Sequence, residues 1–312
     1  MSSFTIMADT TCDLGENYQQ EYGIKVIPGH FVTPDETEYI SRPTWEHGFT
    51  RESFYAALKK NPTGFKTSPP SVGELFDAFS KEAEQGNDII AMSISAGMSG
   101  THNFMKEARE MTLKKFPERK IICIDSLRFG PGYGLMVVHA AMHRAAGESI
   151  DQVAAWIEEN KNRFHQAGWL DDLSFVARQG RLTHAKAFFG TLAGIKPIGE
   201  FDYNGMTTVL GKAKGAKKAY EILMGYIEQT IEQPEEQIIF IAHTDRLKQA
   251  ELYKEMIEQK FHPKAVLING VHPACGINVG PGLMAAYYMG RPISRDLSEE
   301  RAIIEKALNN AK

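Results

Sequence analysis

Hydroxyl and small side chains fill the stretch "SISAGMSGTHN", directly after an apolar run that indicates a buried strand. Ser95 and Ser99 supply hydroxyls, Gly100 adds little bulk, and a helical rhythm resumes at Thr101. Backbone N–H groups at a helix start, a hydroxyl donor and the positive end of the helix dipole together favour an anion. The stretch therefore predicts an anion site, with the alternative that Ser99 or Thr101 only caps the helix.

A second loop, "KTSPPSVG", places Thr67 and Ser68 before a stiff proline pair. Ser71 follows, and Glu74 stands three residues later, which is the spacing of a capping box at a helix start. Two hydroxyl-bearing loops that face each other could hold a carboxylate between them. We therefore expect a carboxylate as the anion.

Catalysis by Ser99 is the main alternative. The segment "GMSGT" lacks the G-x-S-x-G spacing of a nucleophile elbow, and none of the ten His stands in a recognisable catalytic motif. The pattern favours a binding hydroxyl, but a serine-dependent hydrolase of lipids or other esters stays open. A sensor of a small anion or nucleotide is a third alternative, although no P-loop and no G-x-G-x-x-G follows the first strand.

Basic residues lie close together in "VARQGRLTHAKAFFGTLAGIKPI", namely Arg178, Arg181, Lys186 and Lys196. Such a run is compatible with an ordinary solvated face. It is equally the pattern of a local patch for an acidic partner or a phosphate. Composition slightly favours the solvated face.

Composition limits the class of protein. The chain has 312 residues, 43% hydrophobic and 24% charged, with a net charge of −4, which favours a sizeable core and no global attraction to nucleic acid or anionic membranes. The three cysteines, Cys12, Cys123 and Cys275, are widely spaced, so we expect neither a disulfide framework nor a metal site. No segment has the length of a signal peptide or a membrane span. We therefore expect a cytoplasmic protein with no stable membrane insertion.

Strands and helices alternate along the chain, which predicts the α/β class with mostly parallel or mixed sheets. The segments "IKVIPGHFV" and "HQAGWLDD" are predicted strands, "RFGPGYG" a turn, and "GPGLMAAYYMG" either a strand or a buried helix. The character of the chain changes near Phe164. We expect an N-terminal α/β domain over 1–163 and a C-terminal one over 164–312, whose last segment could pack back on the interface.

Taken together and in this order, several stretches resemble the DegV family of bacterial fatty-acid-binding proteins. They are "ADTTCDL", "KTSPPSVGEL", "SISAGMSGTHN", "IDSLRFGPGYG", "LSFVARQGRL", "LAGIKPI", "GKAKGAKKA" and "GINVGPG". The resemblance runs essentially from end to end. It implies two α/β domains, a long-chain fatty acid in a tunnel of the C-terminal domain, and its carboxylate at the domain interface.

The resemblance also implies a role as a carrier without catalytic residues or a cofactor. Its partners would be the fatty acid and an ATP-binding fatty acid kinase subunit, which makes an acyl phosphate. Thr67 and Ser99 match the family's carboxylate-binding hydroxyls, and Arg181 matches an arginine near the partner-facing entrance. We include Ser68, Ser95 and Gly100 in the predicted ligand site.

Asn278 is a departure from the family pattern. Many relatives carry His in a "THTGPG" stretch where this chain has "INVGPG". An asparagine amide can donate a hydrogen bond to a carboxylate but cannot carry a charge or a mobile proton. We therefore expect Asn278 to bind the ligand, and the sequence supports lipid binding more strongly than participation in phosphorylation.

Overall fold

The computed structural model describes residues 4–45, 47–183 and 194–310. Its first half, which extends from Phe4 to Asn160, contains a four-stranded parallel sheet. Its strands, in spatial order, are β2 (Ile24–Ile27), β1 (Phe4–Asp9), β6 (Asp88–Ser93) and β7 (Ile121–Asp125). The helices of this half are α1 (Glu16–Tyr22), α3 (Val72–Glu84), α4 (Thr101–Lys115), α5 (Gly130–Ala145) and α6 (Ile150–Asn160). Because parallel strands end at one edge, β1, β6 and β7 present their following loops together.

A three-stranded antiparallel sheet branches off this half. It consists of β4 (Glu38–Ser41), β3 (Gly29–Val32) and β5 (Lys66–Ser68), with α2 (Arg51–Lys60) beside it in sequence. The prediction of one strand for "IKVIPGHFV" is therefore wrong, because the chain passes at Pro28 from β2 into β3 in another sheet. Proline has no N–H for a ladder hydrogen bond, which explains the break there.

A six-stranded mixed sheet forms the second half. Its strands, in spatial order, are β10 (Thr207–Lys214), β9 (Ile195–Phe201), β8 (Phe164–Trp169), β13 (Met284–Met289), β11 (Ile238–His243) and β12 (Ala265–Gly270). The pair β11–β12 is parallel and the other neighbours are antiparallel. The helices are α7 (Ser174–Arg178), α8 (Ala216–Thr230), α9 (Leu247–Phe261), α10 (Pro273–Val279) and α11 (Ser298–Asn310). The α/β class is confirmed, and "GPGLMAAYYMG" contains a strand.

Helix starts follow local sequence closely. The predicted cap Ser71 forms a capping box, and so do Thr50 and Ser149. In each box the side chain accepts from the backbone N–H of the third helical residue, and that residue's side chain bonds back. The predicted turn "RFGPGYG" is wrong from Gly130 onward, because α5 already begins there. Pro131 suits a first helical turn, where its missing N–H would have no partner.

Helix α5 packs against both main sheets, contacting β1 and β2 on one side and β8, β11 and β13 on the other. Two of its glycines allow this approach. A Cβ at Gly134 would lie 2.3 Å from the carbonyl oxygen of Cys12, and one at Gly132 would lie 2.7 Å from Tyr287. One hydrophobic core therefore runs through both halves. The predicted domain division at 163/164 stays a prediction.

The last helix, α11, packs on α8 and β10 of the six-stranded half. Among the helices in the described ranges, none combines the length and the apolar character needed to cross a bilayer.

Candidate functional site

A cavity lies where the ends of β1 and β6 meet β5, α10 and the six-stranded sheet. Its empty space amounts to about 980 Å³ when the solvent at its open mouth is included. Five of the predicted site residues line it: Thr67, Ser68, Ser99, Arg181 and Asn278. Residues from distant parts of the sequence therefore meet at one place.

Thr67 and Asn278 are in direct contact. The Asn278 Nδ2 donates to Thr67 Oγ1 at 3.3 Å and to the carbonyl oxygen of Ala274 at 3.1 Å, one turn back in α10. Thr67 lies in the short strand β5 and Asn278 near the end of α10, so this bond joins the small sheet to the second half. The Thr67 hydroxyl keeps its own proton to donate to another group.

Ser99 is bonded within its own loop. Its Oγ lies 2.8 Å from Thr101 Oγ1 and accepts from the backbone N–H of Thr101 at 3.3 Å. The helix-cap alternative is thus partly realised, although Gly100 is the residue that precedes α4. His102, by contrast, contacts another serine of this region, because its Nδ1 lies 3.2 Å from the buried Ser93 Oγ.

Two predicted residues, Ser95 and Gly100, are not among those that line the cavity. Ser95 is fully buried, and its Oγ accepts from the backbone N–H of Gly97 at 3.2 Å. A Cβ at Gly205 would lie 2.3 Å from that Oγ, so Ser95 packs tightly against the turn between β9 and β10. Gly100 is exposed at the N-terminus of α4. Ser95 therefore shapes the loop that carries Ser99.

Asp9 lines the cavity and was not among the predicted site residues. Its carboxylate accepts from the backbone N–H of Thr11 at 3.0 Å and from that of Ile94 at 2.8 Å, and also from the Thr11 hydroxyl. Burial raises the pKa of the Asp9 carboxyl, while these hydrogen bonds act in the opposite direction. Asp9 ties the end of β1 to the end of β6. The polar turn "ADTTCD" is the sequence signal for it.

Thr10 and Thr11 follow Asp9 in a 3₁₀ turn and also line the cavity. Thr11 is bonded to Asp9, whereas Thr10 Oγ1 is buried and has no hydrogen-bond partner among the described residues.

The rest of the wall is mainly apolar and comes largely from the second half. It includes Phe129, Leu170, Val176, Val279 and Leu283. Such residues carry no sequence signal that separates them from core residues, so sequence reasoning missed them. The cavity therefore has hydroxyl and amide groups on one part of its wall and hydrocarbon on another.

Gln166 is a buried polar residue on this wall. Its Oε1 accepts from Tyr287 OH at 3.0 Å. Burial raises the pKa of Tyr287 well above its ordinary value, which keeps that hydroxyl protonated and able to donate.

Three contacts fix the start of α10, the helix that carries Asn278. Asp13 Oδ1 lies 3.1 Å from the backbone N of His272 and 3.2 Å from its Nδ1. Cys275 Sγ donates to the carbonyl oxygen of Thr11 at 3.4 Å, and Tyr55 OH donates to that of Val271 at 2.8 Å. The first half of the chain therefore positions α10.

The described basic residues of the stretch around Arg181 have different surroundings. Arg181 lines the cavity, where its Nε donates to the carbonyl oxygen of Met98 at 3.1 Å and its Nη1 to that of Gln179. Arg178 bonds Ser174 within α7, and Lys196 pairs with Asp171. Lys186 lies outside the described residues. Among the described basic residues of this stretch, Arg181 is the one that lines the cavity.

The fold and the cavity define an α/β protein in which a parallel and a mixed sheet share one amphipathic cavity. Within the described ranges, no group of three or more His, Cys, Asp or Glu is arranged to hold a metal ion.

Comparison with known families identifies the chain further. The model of the DegV family, described as uncharacterised proteins, matches residues 3–291. A DegV domain-containing protein of Clostridium perfringens is 34% identical over 290 residues, covering 93% of this chain and 98% of the relative. The chain belongs to the DegV family, which confirms the resemblance seen in the sequence.

Solved structures agree on the fold. A DegV family protein from Thermus thermophilus, described for its fatty acid binding, has a TM-score of 0.81 at 23% identity, over 92% of this chain and 99% of that one. DegV from Bacillus subtilis, a fatty acid binding protein, has a TM-score of 0.77 at 23% identity, over 93% and 100%. A DegV family protein from Eubacterium eligens, loaded with heptadecanoic acid, has a TM-score of 0.80 at 22% identity, over 93% and 100%.

Proposed function

We propose that this protein binds a long-chain fatty acid in the cavity, with the carboxylate at Thr67, Ser99 and Asn278. The observation that carries this proposal is one cavity with hydroxyl and amide donors on part of its wall and hydrocarbon on the rest. A fatty acid has the same two parts. The three structural relatives described above, whose descriptions name fatty acid binding or a bound fatty acid, support the proposal.

The energetics suit this ligand. Burying a chain of about 14 methylenes at roughly 0.8 kcal/mol each provides on the order of 11 kcal/mol. The carboxylate then needs only hydrogen bonds that replace those it made to water. The Thr67 and Ser99 hydroxyls on the cavity wall supply such donors, so the carboxylate needs no buried Lys or Arg.

A serine hydrolase is less well supported. A nucleophilic serine needs a base within hydrogen-bond reach. The partner of Ser99 Oγ is Thr101, and no bond from Ser99 to a histidine is found among the described residues. A covalent acyl adduct on Ser99 in mass spectra of purified protein would nevertheless restore this alternative.

The binding experiment uses purified, delipidated protein and palmitic acid. We expect Thr67→Val and Ser99→Ala each to weaken binding by about 1–3 kcal/mol, because the carboxylate loses a donor. Asn278→Asp should weaken it further through charge repulsion. Ser149→Ala, which removes a hydroxyl at the start of α6 that does not line the cavity, should bind as the wild type does. Wild-type affinity in Thr67→Val, Ser99→Ala and their double variant would remove both from the site.

We further propose that the protein presents the bound carboxylate to an ATP-binding kinase subunit for acyl-phosphate formation, which places the protein in the cytoplasm. Arg181 supports this role because it is a cation that lines the cavity and is only half-buried. Arg181→Glu should abolish turnover with a cognate kinase subunit and leave palmitic acid affinity nearly unchanged, since charge at an entrance acts on docking. Arg178→Glu, on the neighbouring helix, is the matched control. A collapse of palmitic acid affinity in Arg181→Glu would assign Arg181 to the carboxylate instead.

A further inference from the structure

The hydroxyl of Thr10 is buried, but no hydrogen bond to the described residues offsets the cost of its burial. The residue follows β1, is 3% exposed and lines the cavity, yet its Oγ1 has no hydrogen-bond partner among the described residues. Buried polar groups in native proteins are nearly always hydrogen-bonded, so an unpartnered one in a cavity wall needs an explanation.

Neighbouring hydroxyls on the same wall are already engaged. The hydroxyl of Thr11 bonds Asp9, and that of Thr67 bonds Asn278. The Ser99 and Thr101 hydroxyls bond each other. Thr10 therefore differs from these four, because its hydroxyl has no hydrogen-bond partner at all among the described residues before a ligand binds.

The position of Thr10 is beside the second hydroxyl loop. Its Cγ2 lies 3.5 Å from the point where a Cβ on Gly29 would stand, so the methyl group faces β3. That Cβ position on Gly29 would also lie 2.8 Å from the carbonyl oxygen of Ser68. Thr10 thus stands next to the loop that carries Thr67 and Ser68.

We propose that Thr10 is a further binding residue, whose hydroxyl donates to the ligand carboxylate and favours a ligand that ends in an ionised acid. This inference rests on the proposed fatty-acid function. The inference about Thr10 also predicts how the stability of the ligand-free protein changes when the hydroxyl is removed. An unpartnered buried hydroxyl costs free energy, so a methyl group in its place leaves the ligand-free fold equally stable or more stable.

The experiment compares Thr10→Val, which removes the hydroxyl at nearly constant shape, with Thr10→Ser, which keeps it. The probes are palmitic acid and hexadecanol, which share a chain length and differ in the head group. We expect Thr10→Val to raise the Kd for palmitic acid about tenfold and Thr10→Ser to change it less than about threefold. The Kd for hexadecanol should change less than about threefold in both variants. The unfolding midpoint of ligand-free Thr10→Val should equal or exceed that of the wild type.

Several results would overturn the inference. They are wild-type affinity for palmitic acid in Thr10→Val, an equal loss for both probes, or a lower unfolding midpoint in that variant. Each of these leaves the fatty-acid function intact if the wild type binds palmitic acid. A wild type that does not bind palmitic acid overturns the proposed function and this inference with it.

Discussion

Buried polar side chains in the two main sheets have different surroundings. In the six-stranded sheet, Glu200 accepts from His165 Nδ1 and Tyr226 OH, both at 2.8 Å, and from the backbone N–H groups of Gln166 and Phe201 at 2.6 and 2.8 Å. Every oxygen there meets protein donors. At the ends of the parallel strands, Thr10 and Thr11 line an open cavity instead, and the Thr10 hydroxyl has no partner among the described residues.

This difference separates polar residues that stabilise the fold from polar residues that can bind a ligand. A buried polar group whose partners are all protein groups contributes to the fold, and removing one partner leaves the others uncompensated. A polar group on a cavity wall keeps capacity for a ligand. We therefore expect substitutions in the Glu200 cluster to act on unfolding and substitutions at the strand ends to act more on binding.

The largest expected effect is that of Glu200→Gln. The carboxylate and His165 are both fully buried, and the amide would turn an N–H₂ group toward existing donors. We expect the free energy of unfolding to fall by about 3–5 kcal/mol, measured by urea denaturation. Glu236→Gln, an exposed site near the start of β11, should change it by less than about 0.5 kcal/mol. A loss below about 1 kcal/mol at Glu200 would break the proposed contrast.

The next effect depends on pH and comes from His243 in β11. This histidine is 1% exposed, and burial, followed by the charge of Arg51, lowers its pKa from 6.5 to about 4. The unfolded chain therefore takes up the proton first as the pH falls. The stability from neutral His243 is complete above about pH 6.5 and is lost as the pH falls from there to about 4, up to about 3 kcal/mol.

Urea denaturation of the wild type and His243→Gln at pH 7.5 and 5 tests this. The wild type should lose about 2 kcal/mol more than the variant between the two values, because other titrating groups cancel in the difference. His262→Asn, at an exposed helix end, should keep the wild-type dependence. Equal pH dependence in the wild type and His243→Gln would contradict the assignment.

The smallest effect on stability is expected at Asp13, which connects the two halves. Asp13→Ala removes the acceptor for His272 from a residue with a φ of 54°, so we expect a loss of about 2 kcal/mol. Asp13→Asn tolerates that backbone conformation and keeps one acceptor, and should lose less than about 1 kcal/mol. Since α10 carries Asn278, Asp13→Ala should also weaken palmitic acid binding. Unchanged affinity would show that α10 keeps its position without Asp13.

The sequence predicted those features that depend on interactions between residues close together in the chain. The predicted capping box at Ser71 depends on side chains three residues apart, and it is present. The break between β2 and β3 was missed because it depends on which sheet each strand joins. Gly132 and Gly134 were assigned to a turn because the close packing of α5, which requires them, involves residues distant in sequence.

The candidate site shows the same limit. Motif resemblance selected Thr67, Ser99, Arg181 and Asn278, and these residues line one cavity. Their role in binding stays a prediction. Ser95 stands in the same motif but faces the interior of its loop, since side chains that are four residues apart in an irregular loop need not point the same way. The apolar wall could not be distinguished from ordinary core.

Helix α5 has a consequence for folding cooperativity. It belongs to the first half by sequence, yet it fills the space beneath β8, β11 and β13 of the second. A chain cut after residue 163 would leave that sheet with an uncovered apolar face, including Phe201 and Tyr287 where Gly132 now packs. The six-stranded half therefore cannot bury its interior without α5 of the first half. We expect the molecule to melt in a single transition, despite containing two main sheets.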